Sequence, residues 1–276
     1  MQFKIVSDSS SNIFSFPGVA HASVPLRINA GDKEYVDDEN LDVGLMVREL
    51  HDHKGRSGTS CPNVGDWLQA FEGAQRIFAI TITSNLSGSY ASAMEAKAIY
   101  EEENPGAKVC VLDTLSTGPE MRLIMEKLRT WILEGVPYEI MRLDIREYMK
   151  KTHLLFSLES LTNLARNGRV SPAVAKIAGV LGIRVVGVAS DVGTLQQLHK
   201  CRGEKKALDT LFEEMVSRGY KGGKVCIAHC FNQDAAQALK EKILESYQDT
   251  QVDLEPTGAL CSFYAEQGGL LVGFEG

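Results

Sequence analysis

The 276-residue chain is 44% hydrophobic and 24% charged, an ordinary globular composition. Its net charge of −7 at pH 7 excludes the basic stripe that a nucleic-acid surface needs. Six cysteines in a chain this long are not a disulfide scaffold, and the longest apolar stretch, Val174 to Ala189, is broken by Lys176 and Arg184, so no membrane span is expected.

Residues Met1 to Val6 turn polar too soon for a signal peptide, and a cytoplasmic protein is expected. Phe3 to Val6 reads as a strand ended by Ser7-Asp8-Ser9-Ser10-Ser11-Asn12, and Val19 to Ile28 as extended chain. Asp42 caps a helix that runs to about His53. Pro62 suits the first position of a second helix, with Ser60 or Cys61 near its cap and Trp67, Leu68 and Phe71 on its buried face. Arg76 to Thr83 is a strand; after the turn Ser84-Asn85-Leu86-Ser87, a helix runs from Gly88 to about Glu103. Val109 to Leu112 is a strand ended by Asp113-Thr114, followed by helices over Thr117 to Leu133 and Tyr138 to Lys150. This alternation predicts an α/β fold: a parallel-sheet, Rossmann-like domain over 1–150.

The second half, 151–276, changes texture. His153 to Phe156 reads as a strand and Leu158 to Ala165 as a helix, then Asn167-Gly168-Arg169 as a turn. Ser171 caps a helix to about Val180. Ile183 to Ala189 and Thr194 to His199 form a hairpin through Asp191-Val192-Gly193. Helices over Arg202 to Val216, Asp234 to Tyr247 and Ala259 to Tyr264 intersperse with strands at Gly223 to Cys230, Val252 to Glu255 and Leu270 to Phe274. This half predicts an α+β domain with a mixed sheet.

Three strands of the first half end in hydroxyl-rich turns: Ser7 to Ser11, Thr83 to Ser87 and Asp113 to Thr117. Ligands of open α/β sheets gather at such strand ends, so the three turns are expected to line one crevice. The turn before the Gly88 helix points backbone N–H groups and hydroxyls at an anion, a carboxylate or a phosphate. Asp8 and Asp113 are expected to brace loops through hydrogen bonds to backbone N–H groups. No nucleophile elbow, phosphate-binding loop or dinucleotide fingerprint is present. Cys226-Ile227-Ala228-His229-Cys230 reads either as a buried strand or as half of a metal knuckle, and His51-Asp52-His53 as a helix C-terminus or a metal pair. Thr59-Ser60-Cys61-Pro62 reads as a capping cluster or as a site, with Cys61 a nucleophile lacking a paired base. No metal and no cofactor is assigned.

The order of Ser7-Asp8-Ser9-Ser10-Ser11, Thr59-Ser60-Cys61-Pro62, Ser84-Asn85-Leu86-Ser87-Gly88-Ser89-Tyr90, Val111-Leu112-Asp113-Thr114, Asn167-Gly168-Arg169-Val170-Ser171 and the Gly-rich end resembles the DegV family. These are bacterial fatty-acid-binding proteins that include the FakB subunits of fatty acid kinase. The resemblance implies two α/β domains enclosing a long-chain fatty acid in an apolar tunnel, and no catalysis by the chain itself. It implies that Thr59 and Ser87 hold the carboxylate, with Ser60, Gly88 and Tyr264 beside them. A separate ATP-binding kinase subunit would phosphorylate the bound carboxylate, with Arg202 and Arg169 at the docking face. Transient membrane contact, without a span, is also expected. Two positions depart from the pattern: Tyr264 stands where several relatives carry His, and Gly182-Ile183-Arg184-Val185-Val186 where a Lys-Pro-Ile element is expected. The alternatives are a small-anion hydrolase or transferase with Ser87 or Cys61 as nucleophile, and a regulatory lipid sensor.

Overall fold

In the computed structural model, which describes residues 2–173 and 182–276, three sheets carry the molecule. The helix expected from Ser171 to Val180 lies largely outside the described residues. The first sheet is four-stranded and all-parallel, in the order β2-β1-β6-β7. Its strands are β1 (Phe3–Asp8), β2 (Ala20–Val24), β6 (Arg76–Thr81) and β7 (Lys108–Asp113). Alternation along β6 divides the core. Ile77 and Ala79 pack with Trp67 and Phe71 of α2 (Val64–Phe71) and Ala93 and Ala96 of α3 (Ser89–Glu103). Phe78 and Ile80 pack on the other face with Ile124 and Leu128 of α4 (Pro119–Leu133) and Met141 and Ile145 of α5 (Tyr138–Met149). Burial on both faces is why β6 and β7 read as unbroken apolar runs.

The second sheet has six strands in the order β10-β9-β8-β13-β11-β12. They are β8 (Thr152–Leu158), β9 (Ile183–Ala189), β10 (Leu195–Arg202), β11 (Val225–His229), β12 (Val252–Pro256) and β13 (Leu270–Glu275). Only β11 and β12 run parallel; the other pairings are antiparallel, so the sheet is mixed, as expected. Leu155, Val186, Ile227 and Val272 face α7 (Glu204–Ser217) and α8 (Gln233–Ser246), against Leu211, Met215 and Leu239. Leu154, Phe156, Leu158, Val185 and Leu271 face the opposite way. Cys226, Ala228 and Cys230 are fully buried, and so is Ile227 between them, so β11 is covered on both faces.

Helix α4 serves both sheets. A Cβ on Gly273 of β13 would lie 2.6 Å from the Glu120 backbone nitrogen, so only glycine lets the start of α4 approach this closely. Arg122 of α4 pairs with Glu255 of β12, and Thr152 of β8 donates to the buried Glu120 carboxyl at 2.8 Å.

The third sheet was not expected from sequence: β4 (Lys33–Val36), β3 (Arg27–Ala30) and β5 (Ser57–Ser60), all antiparallel. It packs through Ile28 and Tyr35 on Met46 of α1 (Val43–Asp52) and on Ala259 and Phe263 of α9 (Ala259–Ala265). The helix after Thr59-Ser60-Cys61-Pro62 is therefore capped elsewhere. Asn63 accepts from the Asp66 amide at 3.0 Å while Asp66 accepts from the Asn63 amide at 2.9 Å, a reciprocal capping box. Asp42 does cap α1, accepting from the Leu45 amide at 2.8 Å, and His51-Asp52-His53 forms that helix's C-terminus. Two further boundaries move: β8 runs on to Leu158, leaving a short helix α6 (Thr162–Arg166), and Arg202 ends β10 instead of starting a helix.

Candidate functional site

A cavity of about 320 Å³ lies between the C-terminal ends of the parallel strands and the face of the mixed sheet opposite α7 and α8. Two of the three hydroxyl-rich turns line it, one through Ile82, Thr83, Leu86, Ser87 and Gly88 and the other through Leu115, Ser116 and Thr117. The third, Ser7 to Ser11, does not. It folds into a buried 3-10 turn whose hydroxyls are used internally: Ser7 meets Ser11 at 3.0 Å, and Ser9 accepts from the Leu26 amide at 3.0 Å.

The two remaining turns are braced as expected. Asp8, fully buried, accepts from the Ile82 amide at 2.8 Å and from the Ser89 hydroxyl at 2.6 Å. Burial raises its carboxyl above the ordinary value, and the hydrogen bonds from Ser10, Ser89 and Ile82 oppose that rise. Asp113 accepts from the Ser84 and Leu115 amides, each at 3.1 Å. Together the carboxylates hang the loop before α3 from the ends of β1 and β7.

The cavity has a polar end and an apolar body. Thr59, Ser60, Cys61, Ser87, Gly88, Arg169 and Tyr264 line the polar end. Thr59 is held by the pairing of β5 with β3, opposite Ile28, and its hydroxyl lies 2.7 Å from that of Tyr264 on α9. Burial raises the Tyr264 phenol, with the Thr59 hydrogen bond and Arg169 opposing, so it stays a neutral donor near pH 7. The β5 and α3 loops touch here: a Cβ on Gly88 would stand 3.0 Å from the Cys61 sulfur. The Ser87 hydroxyl accepts from the Ser89 amide at 3.3 Å, closing a turn ahead of α3.

Arg169 is in the wall of this site, half-buried. Its Nε donates to the Leu86 carbonyl at 3.2 Å, and its guanidinium is 5.8 Å from the centre of the Tyr264 ring. Among the described residues it is the one charged side chain lining the cavity, and no carboxylate or imidazole lines it. Ser60 and Gly88 are exposed, so the polar end reaches the surface. The body is lined by Leu154, Phe156 and Leu158 of β8, Leu271 of β13, and Leu26, Ile82 and Leu260. The hairpin turn of β9 and β10 closes against it: Thr83 donates to the Gly193 carbonyl at 2.9 Å and Asn85 to the Val192 carbonyl at 2.6 Å.

Five expected carboxylate-binding residues, Thr59, Ser60, Ser87, Gly88 and Tyr264, thus line one cavity end, although they come from three distant stretches. Arg169 joins them. Arg202, by contrast, is exposed at the end of β10, outside the cavity lining. Sequence reasoning missed Asp37. It is buried after β4 and accepts from the Ala259 and Leu260 amides at 2.9 and 3.1 Å, fixing the start of the helix that bears Tyr264. No periodicity or motif marks such a contact across more than two hundred residues.

A family model described as "Uncharacterised protein, DegV family" matches residues 2–275. The chain belongs to the DegV family. This DegV chain is 43% identical over 279 residues to a DegV domain-containing protein of Streptococcus pneumoniae strain R6, covering 100% of this chain and 99% of the relative. It superposes with TM-score 0.97 on a DegV family protein from Eubacterium eligens loaded with heptadecanoic acid, at 46% identity and 99% coverage of each chain. It also superposes with TM-score 0.98 on the Streptococcus pneumoniae Fatty Acid Kinase B3 protein loaded with linoleic acid, at 42% identity, covering 100% of this chain and 99% of that one. Among the described residues, no helix of this DegV protein is long and apolar enough to cross a membrane.

Proposed function

We propose that this DegV protein binds a long-chain fatty acid in the cavity and presents its carboxylate to an ATP-binding kinase subunit for acyl-phosphate formation. The observation that carries the reading is the polarity of the cavity: hydroxyls and one guanidinium where it reaches the surface, and leucines, isoleucine and phenylalanine within. The two DegV relatives with bound heptadecanoic and linoleic acids support it. Each acyl methylene buried against that wall contributes about 0.8 kcal/mol, so the chain supplies most of the affinity. The carboxylate costs free energy to dehydrate unless it is hydrogen-bonded. Thr59 and Ser87 supply two charge-assisted bonds, Ser60, Tyr264 and the Gly88 amide lie alongside, and Arg169 adds a neighbouring positive charge. An exposed polar end leaves the carboxylate oxygens reachable by a partner's phosphoryl group. Arg202, on the exposed end of β10, and Arg169 are the docking cations of this reading. In it, residues 1–150 bring the carboxylate-binding loops and residues 151–276 complete the tunnel.

The hydrolase or transferase reading finds less support. A Ser87 or Cys61 nucleophile needs a base within hydrogen-bond reach, and the described lining offers none. The test is the Thr59→Ala, Ser87→Ala double variant, delipidated and offered labelled palmitate. Each lost charge-assisted hydrogen bond is worth about 1.5–3 kcal/mol, so affinity should fall roughly a hundredfold or more. Unchanged affinity overturns the assignment. Phosphorylation of the retained acid by an added fatty acid kinase subunit tests the presentation step separately.

A further inference from the structure

Gly187 of β9 is directly opposite Phe156 of β8, and directly paired residues share a face. Here it is the cavity face, because Phe156 lines the cavity together with Leu154, Leu158 and Ala189. A Cβ on Gly187 would fall 2.3 Å from Cζ and 2.6 Å from Cε2 of the Phe156 ring, and 2.5 Å from the Gln196 carbonyl oxygen. The far edge of the ring therefore occupies the space over β9 that a side chain at 187 would fill. On the other side of β8, Leu271 of β13 is paired with Phe156 and also lines the cavity, so the ring is confined on that flank. Backbone sign does not explain this glycine, which is not among the positive-φ residues; close approach does.

We propose that Phe156, laid over Gly187, determines how long an acyl chain the cavity accepts. This rests on the fatty-acid reading above. With glycine at 187 the ring hugs the sheet and leaves depth above it for the chain. Any side chain at 187 lifts the ring into the cavity and shortens the space; removing the ring deepens it. Interiors at native packing density have no slack to absorb either change silently.

The experiment is competition binding of straight-chain acids from twelve to twenty carbons to wild type, Phe156→Leu, Phe156→Ala and Gly187→Ala, with native mass spectrometry of the acids retained from the expression host. Phe156→Leu and Phe156→Ala should shift preference toward longer acids, raising the twenty-to-sixteen-carbon affinity ratio about tenfold, the factor that burying roughly two more methylenes supplies. Gly187→Ala should shift it toward shorter acids, and Phe156→Ala in that background should reverse the shift. Because the Cβ of Gly187→Ala also meets backbone, a variant that fails to fold leaves the two Phe156 variants to decide. Folded Phe156 variants with the wild-type length profile overturn this inference alone. Wild-type protein that retains and binds no acid overturns the fatty-acid reading itself.

Discussion

At the scale of single residues, the molecule spends buried carboxyls on holding loops and helix starts in place. Glu120 shows the cost. Burial pushes its carboxyl up to about 7, against a usual 4.5, with the Thr152 hydroxyl partly opposing. Asp37 moves the same way, to about 6, with burial again the largest cause. A carboxyl raised in the folded state contributes stability that is complete below its unfolded value and lost as pH rises through its folded value. For Glu120 that window runs from about pH 4.5 to about pH 7. Glu120→Gln keeps an acceptor for Thr152 and removes the charge. It should flatten the stability profile across the window and be more stable than wild type at about pH 8, by up to roughly 3 kcal/mol. Calorimetry of both proteins from acid to mildly alkaline pH checks this; parallel profiles would argue that Glu120 keeps its charge without penalty. None of this was legible in the sequence, where Glu120 is only one residue of the helix expected over Thr117 to Leu133.

At the scale of elements, the apolar patterns were legible and the polar ones were ambiguous. The strands around Ile77 to Ile80 and Val109 to Leu112 announce themselves because both faces are buried. Ser57-Gly58-Thr59-Ser60 has no such signal. Serine and glycine are poor strand formers, and only pairing with β3 makes β5 a strand. The same hydroxyls suit a helix cap equally well, which is why the cap of α2 was sought near Ser60 or Cys61 and found at Asn63. Asn63→Ala should cost about 1 kcal/mol through loss of that capping box, read as a lower urea midpoint with unchanged slope. A Ser60→Ala variant should leave the midpoint close to wild type, since Ser60 caps nothing.

At the scale of the whole molecule, closure of the cavity depends on parts distant in the chain. The β9–β10 turn reaches the loop after β6, where Gly193 has φ +75° and a Cβ there would meet the Thr83 hydroxyl at 2.1 Å. Gly193→Ala should therefore strain the turn, break its contact with Thr83 and speed release of bound fatty acid. Displacement of a labelled acid by excess unlabelled acid measures this, and an unchanged off-rate means that the turn does not gate the cavity. Helix α9 is tied down similarly, by Asp37 and by Asn12, which accepts from the Gly258 amide at 2.9 Å.

The alternation of apolar runs with helical periods determined by itself that a parallel α/β sheet precedes a mixed one, because hydrophobic periodicity records which faces must leave water. The ordered motifs likewise determined the family and brought Thr59, Ser87 and Tyr264 forward as a set. Only the tertiary structure decided that Ser7 to Ser11 is internal bracing, that Arg169 stands in the cavity wall, and that Phe156 lies across Gly187. A hydroxyl, a guanidinium or a glycine has no periodic signature. What each does depends on which group from elsewhere in the chain is packed against it.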